Sequence, residues 1–251
     1  MADEQEQDAV LVSSNNGITT ISINRPKQLN TINDAVIEGL HNAWHTFNAS
    51  DDRCAILTGV GAKAFCAGAD LGSFRGEMWE SIPNVGVRVD KPVIAAVNGY
   101  CVGGGCVLML YCDLAIAGES AQFWYPEAQV GFTGGVVTGI ASRMPLKFAM
   151  EFALLGERIG PEQARQMGML NRVTADDEVL ASAERMARTL CDSAPLVVKA
   201  LKGLMLDTVS RSPLEVAGVA RGQLAEVLHS ADRQEGIAAF REKRAPKFQG
   251  K

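Results

Sequence analysis

Residues 91–127, KPVIAAVNGYCVGGGCVLMLYCDLAIAGESAQFWYPE, most tightly constrain what this chain can fold into. The apolar run at 93–97 reads as a buried strand, the glycines at 99 and 103–105 force a turn, and an apolar helix begins near Gly104 or Gly105. Three successive glycines carry no Cβ, so another group can come close to their backbone. The first amides of a helix have no partner inside it, and an acidic or polar substrate group fits there. The stretch closes on Tyr125-Pro126-Glu127, which sets one carboxylate beside a proline-marked turn. A partly buried glutamate is costly unless it is paired or its raised pKa is put to use.

A second glycine-marked loop, GVGAKAFCAGAD at 59–70, follows a short apolar strand at 54–58. Alone, it reads as a tight connection with Asp70 as a helix cap. Its recurrence after the next strand, at 103–105, suggests two turns whose N–H groups converge on one oxygen, the geometry of an oxyanion hole.

Around these turns the pattern is α/β. Two β-branched runs flank Asn16-Gly17, a strong hairpin signal, and Thr31 or Asn33 caps a helix that runs to about residue 48. The continuous apolar strand at 54–58 needs cover on both faces. Residues 71–90 mix Phe74, Trp79 and Ile82 with Arg75, Glu77, Glu80 and Arg88, and are expected to form a weakly helical, mobile lid or pocket wall. Further helices are expected near 150–155, 161–167 and 177–190, the last capped by Asp176 or Asp177, then at 196–209, 213–228 and 232–244. Strands and helices alternate in the first two thirds, and the last third is helical. The expected organisation is a tail at 1–9, an α/β core at 10–190 and a helical region at 191–251.

Composition narrows the functions. With 251 residues and 47% apolar content there is enough chain for one sizeable core. A formal charge of -5 provides no basic footprint for nucleic acid. The six cysteines form no CxxC pair and sit mostly in apolar runs, as reduced core-filling thiols do. The acidic start MADEQEQD has no leader pattern, and the longest apolar stretch is bounded by Lys91 and Asp113, so the expectation is a cytoplasmic protein without a membrane span. His41 and His45 lie one helical turn apart without a third ligand, and no metal site is expected.

The residues also carry a resemblance. Asn24-Arg25-Pro26-Lys27 with Leu29-Asn30, the segment AFCAGAD at 64–70, KPVIAAVNGYCVGGGC at 91–106, Cys112-Asp113, the run from Gln122-Phe123 to Glu127, Leu155-Gly156-Glu157-Arg158-Ile159 and the tail EGIAAFREKRAPKF follow in the order of the enoyl-CoA hydratase/isomerase, or crotonase, superfamily. The resemblance spans about residues 10–248. It implies a crotonase-like spiral of repeated ββα units and a C-terminal helical trimerisation region, with self-association into a trimer or a dimer of trimers. It also implies an acyl-CoA thioester substrate, with coenzyme A part of that substrate and no permanently bound cofactor. The oxyanion amides fall on Ala69 and Gly104, the two turns reached from the glycine pattern. Arg25, Lys27, Leu29, Ala67 and Lys247 become candidates for binding coenzyme A, and Val107, Trp124, Tyr125 and Phe132 for the acyl pocket.

The departures from the family pattern bear most on function. In family hydratases two glutamates handle water; the second maps onto Glu127, and the first onto Val107. One carboxylate suffices to move a double bond, whereas water addition uses two, so the resemblance favours an enoyl-CoA isomerase with Glu127 as its catalytic base. A hydratase or an acyl-CoA hydrolase of the same family is the alternative within that chemistry. Trp124-Tyr125 and the shortened 132–138 and 71–90 segments imply a reshaped acyl pocket. A non-catalytic acyl-CoA-binding or assembly protein on the same scaffold is the alternative from another class.

Overall fold

The computed structural model describes residues 8–73, 77–131 and 133–251. Strands β1 (Val10–Asn15) and β2 (Ile18–Ile23) pair antiparallel across Asn16-Gly17. Both turn residues have positive φ, 52° and 80°, as the tight turn that suits a right-twisted hairpin requires. Helix α1 (Asp34–Ala49) follows, and the Asn33 side chain caps it by accepting from Val36 N.

From β2 onward the large sheet is parallel. Its order is β1-β2-β3-β5-β7-β9, with β3 at Cys54–Gly59, β5 at Val93–Val97, β7 at Leu114–Gly118 and β9 at Arg172–Thr174. Alternate residues of each long strand serve different cores. Ile56, Ile94, Ala96 and Ile116 pack on one face with Val179, Ala183 and Ala187 of helix α6 (Val179–Cys191). Leu57, Ala95, Val97, Ala115 and Ala117 join α1 and the site-bearing elements on the other. This two-sided burial explains the unbroken apolar runs in the sequence.

After each of β3, β5 and β7 the chain leaves the large sheet and adds a three-residue strand to a second, parallel sheet of order β4-β6-β8: Ala64–Cys66, Tyr100–Val102 and Gln122–Trp124. Gly99, at φ 59°, makes one of these corners, where a Cβ would collide with the Lys63 carbonyl. Helices α2 (Gly104–Leu110) and α3 (Glu127–Val130) open after β6 and β8. The repeated strand–strand–helix step is the spiral expected from the resemblance. It brings the turns after β4, β6 and β8 side by side.

Two expectations need correction. Residues 77–90 are not a free-standing lid: Trp79, Ile82, Val85, Val87 and Val89 are buried, and Trp44 Nε1 donates to Ser81 O at 2.8 Å. Phe74 and Arg75 lie outside the described residues. Asp176 does not cap α6; its carboxylate accepts from Ser120 N at 3.0 Å instead, and residues 176–178 form a 3-10 turn.

The helices α4 (Leu146–Leu155) and α5 (Pro161–Gln166) precede β9. The C-terminal helices are α7 (Pro195–Thr208), α8 (Pro213–His229) and α9 (Ala231–Glu242). Lys202 of α7 donates to Asp113 Oδ2 at 2.7 Å, and the same oxygen accepts from Val93 N at 2.7 Å, so one acid ties α7 to the start of β5. Large apolar side chains remain outside on these helices, Leu196 at 81% and Phe240 at 86% exposure among them. No cysteine is in a disulfide, and five of the six are buried. Among the described residues no helix is long and apolar enough to cross a membrane.

Candidate active site

Ala69 sits in a loop held by an isolated parallel bridge to Ile32. Ile32 N donates to Gly68 O and Asp70 N donates to Ile32 O, each at 2.8 Å. Both bonds belong to the neighbours of Ala69, so its own N–H is left without an acceptor among the described residues. Gly104 is the first residue of α2, where no intrahelical acceptor exists. The two turns touch: a Cβ on Gly68 would lie 3.1 Å from Val102 O and 3.7 Å from Gly104 N.

Glu127 enters from the third turn. It is the first residue of α3, after Pro126, and its carboxylate lies against Gly103, where a Cβ would meet Oε1 at 2.6 Å. Gly103 has φ 50° and ψ −116°, a backbone shape that side chains disfavour, and its N–H donates to Trp124 O at 3.0 Å. Glu127 Oε2 is buried with no hydrogen-bond partner among the described residues. Burial is the main cause that pushes the Glu127 pKa up to about 7, opposed by its own backbone N–H and by the nearby Tyr125 hydroxyl. Tyr125 is itself buried, its hydroxyl 3.5 Å from Thr133 Oγ1, and burial raises it to about 12, so it remains a neutral phenol. Val107, 3% exposed, stands one helical turn beyond Gly103, its N–H donating to Gly103 O at 3.2 Å. The carboxylate therefore sits half-buried beside the Gly103-Gly104 turn, which itself touches the Gly68 loop, and Val107 puts an alkyl group on the helix that this turn opens. A carboxyl group held near neutrality can both accept and return a proton.

The other expected residues are distributed differently. Ala67 and Leu29 meet through the backbone, Ala67 N donating to Leu29 O at 3.0 Å, and Lys27 is exposed on the same loop. The Arg25 guanidinium pairs with Asp70 Oδ2 at 2.9 Å and donates to Thr31 O at 2.7 Å. Lys247 belongs to the tail folded on α9, where its N–H donates to Glu235 Oε1 at 2.8 Å. Trp124 does not join Tyr125. Trp124 ends β8, and its ring lies under the Arg158 guanidinium at 4.3 Å and edge-on to Tyr100 at 5.6 Å, whereas the Tyr125 ring lies 6.3 Å from that of Phe152. Phe132 lies outside the described residues. Glu77 is exposed and 3.9 Å from Arg221, and the His41 and His45 rings meet edge-on at 4.7 Å. Among the described residues no group of three His, Cys, Asp or Glu is arranged to hold a metal ion.

Two features escaped the sequence reading. Gly103, rather than its neighbours, carries the close contact to Glu127, and only its positive φ marks it. Glu215 of α8 is buried against Arg143 at 3.1 Å, and Arg143 lies 3.6 Å over the Tyr111 ring at the end of α2. No local pattern announces that cluster, because its members are far apart in the chain.

The enoyl-CoA hydratase/isomerase family model matches residues 13–251. This chain belongs to the enoyl-CoA hydratase/isomerase family. Among its relatives, a carnitinyl-CoA dehydratase from Salmonella typhi is 37% identical over an alignment of 259 positions, covering 96% of this chain and 98% of that protein. Among solved structures, a probable enoyl-CoA hydratase/isomerase from Mycobacterium abscessus has 37% identity and a TM-score of 0.74, covering 97% of this chain and 99% of its own. An enoyl-CoA hydratase from Mycobacterium tuberculosis H37Rv has 35% identity and a TM-score of 0.76, covering 98% and 100%. The two-sheet spiral described above is thus the crotonase fold, and the protein is an enzyme of that family.

Proposed function

We propose that this family member isomerises an enoyl-CoA by moving a proton with a single carboxylate, Glu127. The observation that carries this reading is one half-buried glutamate with a pKa near 7 beside Gly103-Gly104, with Val107 where a second acid would stand. On a 3-enoyl-CoA, Glu127 takes a proton from C2, and the C–H electron pair delocalises onto the thioester oxygen as a dienolate. The Ala69 and Gly104 N–H groups donate to that oxygen more strongly as its charge grows. The protonated Glu127 then returns the proton to C4, leaving the double bond between C2 and C3. Tyr125, a neutral phenol, keeps the carboxylate in place beside the acyl chain. Lys27, Leu29 and Ala67 line the edge where the coenzyme A portion enters, with Lys247 supplied by the C-terminal tail. The exposed apolar side chains of α7–α9 support self-association of a region 191–251 that lies outside a core at 10–190.

A second reading, reversible loss of water, is favoured by the names of the relatives, several of which are carnitinyl-CoA dehydratases. The two readings part on product mass. With a 3-enoyl-CoA, isomerisation leaves the mass unchanged and yields the 2-enoyl thioester. A product heavier by one water, formed from a 2-enoyl-CoA with no exchange of double-bond position, would favour the second.

A further inference from the structure

The groups that hold Ala69 come from the loop between β2 and α1. Arg25 is only 17% exposed at its side chain. Its fork spans two partners: Nη2 lies 2.9 Å from Asp70 Oδ2, and Nη1 donates to Thr31 O at 2.7 Å and to Thr31 Oγ1 at 3.0 Å. Residues 31 and 70 are thereby tied across the same bridge that flanks Ala69. Asn30, 1% exposed and at φ 56°, secures the loop from behind. Its Oδ1 accepts from Arg25 N at 2.9 Å, and its Nδ2 donates to Ala64 O at 2.7 Å and Val60 O at 3.1 Å. Ala69 makes none of these bonds itself. The direction of its N–H is set by Gly68 and Asp70 on either side, and both depend on the loop at 25–32.

We propose that Arg25 and Asp70, backed by Asn30, form a clamp that aims the Ala69 N–H at the substrate oxygen, so that Arg25 is a positioning residue and not a phosphate ligand. The proposal rests on the enolate reading above. A lysine cannot replace the arginine, because one ammonium does not span Thr31 and Asp70 together. A donor displaced by a fraction of an ångström loses much of its worth to a charge that develops at one point.

Two probes separate the roles: free coenzyme A, which has no thioester carbonyl, and acetoacetyl-CoA, whose acidic C2 proton lets it bind as an absorbing enolate. The wild-type protein is expected to generate the enolate band. Arg25→Lys and Asp70→Asn are each expected to reduce it and to weaken acetoacetyl-CoA by about tenfold or more, with free coenzyme A unchanged within about twofold. The double variant is expected to be no weaker than the poorer single, because the two residues act as one unit. Equal weakening of both probes by Arg25→Lys would make Arg25 a phosphate ligand and overturn the clamp, as would an undiminished enolate band in both variants. If Arg25→Lys fails to fold, the nearly isosteric Asp70→Asn decides alone, since it removes no cation from a phosphate. A wild-type protein that gives no enolate band overturns the enolate reading itself, and the clamp with it.

Discussion

Replacing Glu127 by glutamine separates the stability of this site from its chemistry. The carboxylate is half-buried, its Oε2 has no partner among the described residues, and its pKa is pushed from 4.5 to about 7, chiefly by burial. The folded protein therefore holds this proton over a range where the unfolded chain has released it. Stability contributed by the neutral form is fully present below pH about 4.5 and is lost as pH rises through about 7. A dry group with this shift would cost roughly 3 kcal/mol; a half-buried one, screened by solvent, costs about 1–2 kcal/mol. Glutamine keeps the shape and never ionises. Urea unfolding of both proteins at equal chain concentration is expected to show similar stabilities near pH 5, with Glu127→Gln more stable by about 1–2 kcal/mol near pH 8. Parallel stabilities across that range, or a wild type that gains on the variant at high pH, would refute the reasoning about burial.

Other perturbations test the residues around Glu127 and the packing that supports them. Gly103→Ala places a methyl group 2.6 Å from Glu127 Oε1 at φ 50°; thermal unfolding should show a loss of about 2 kcal/mol, and steady-state kinetics a fall in kcat of about a hundredfold. Val107→Glu installs an acid at a position 3% exposed; denaturant titration should show a loss of about 2–3 kcal/mol at neutral pH that shrinks on acidification, and product analysis should reveal new water addition to a 2-enoyl-CoA. Because Glu127 must be ionised to accept a proton, kcat/KM should rise with pH through about 7 and then level, a profile measurable with any turned-over thioester. Lys202→Met leaves Asp113 bonded to Val93 N but unpaired in charge, and calorimetry should register a loss of about 2 kcal/mol.

The sequence revealed those parts of the fold in which local chemistry and final environment agree. β3 and β5 are apolar at every second residue on both faces because α6 and α1 cover them, and that leaves a continuous run visible in one dimension. The hairpin was legible through Asn16-Gly17, and the two facing turns through their glycines, since both need backbone shapes that few residues adopt. β6 and β8 were not legible: three residues are too few to show a period, and the glycine and proline beside them read as loop. The segment 77–90 reads as a mobile lid because Glu77, Glu80 and Arg88 suggest a solvated stretch, while Val85, Val87 and Val89 alternate into the core between them. The partners of Arg25 and Trp124 were not legible for a related reason. Their types are visible locally, but Asp70 lies 45 residues from Arg25, and Arg158 comes to Trp124 from a distant loop.

In the proposed reaction Glu127 alone carries a proton across an enolate held by Ala69 and Gly104. Its most direct test is the exchange of substrate hydrogen in deuterium oxide with a 3-enoyl-CoA, followed by mass spectrometry and by the position of the double bond. The wild-type protein is expected to incorporate deuterium at C2 and C4 and to accumulate the 2-enoyl product without added water. Glu127→Gln should do neither, while binding coenzyme A as before. Exchange that persists in Glu127→Gln, or a wild type that neither exchanges nor isomerises, would rule out a single-carboxylate isomerase.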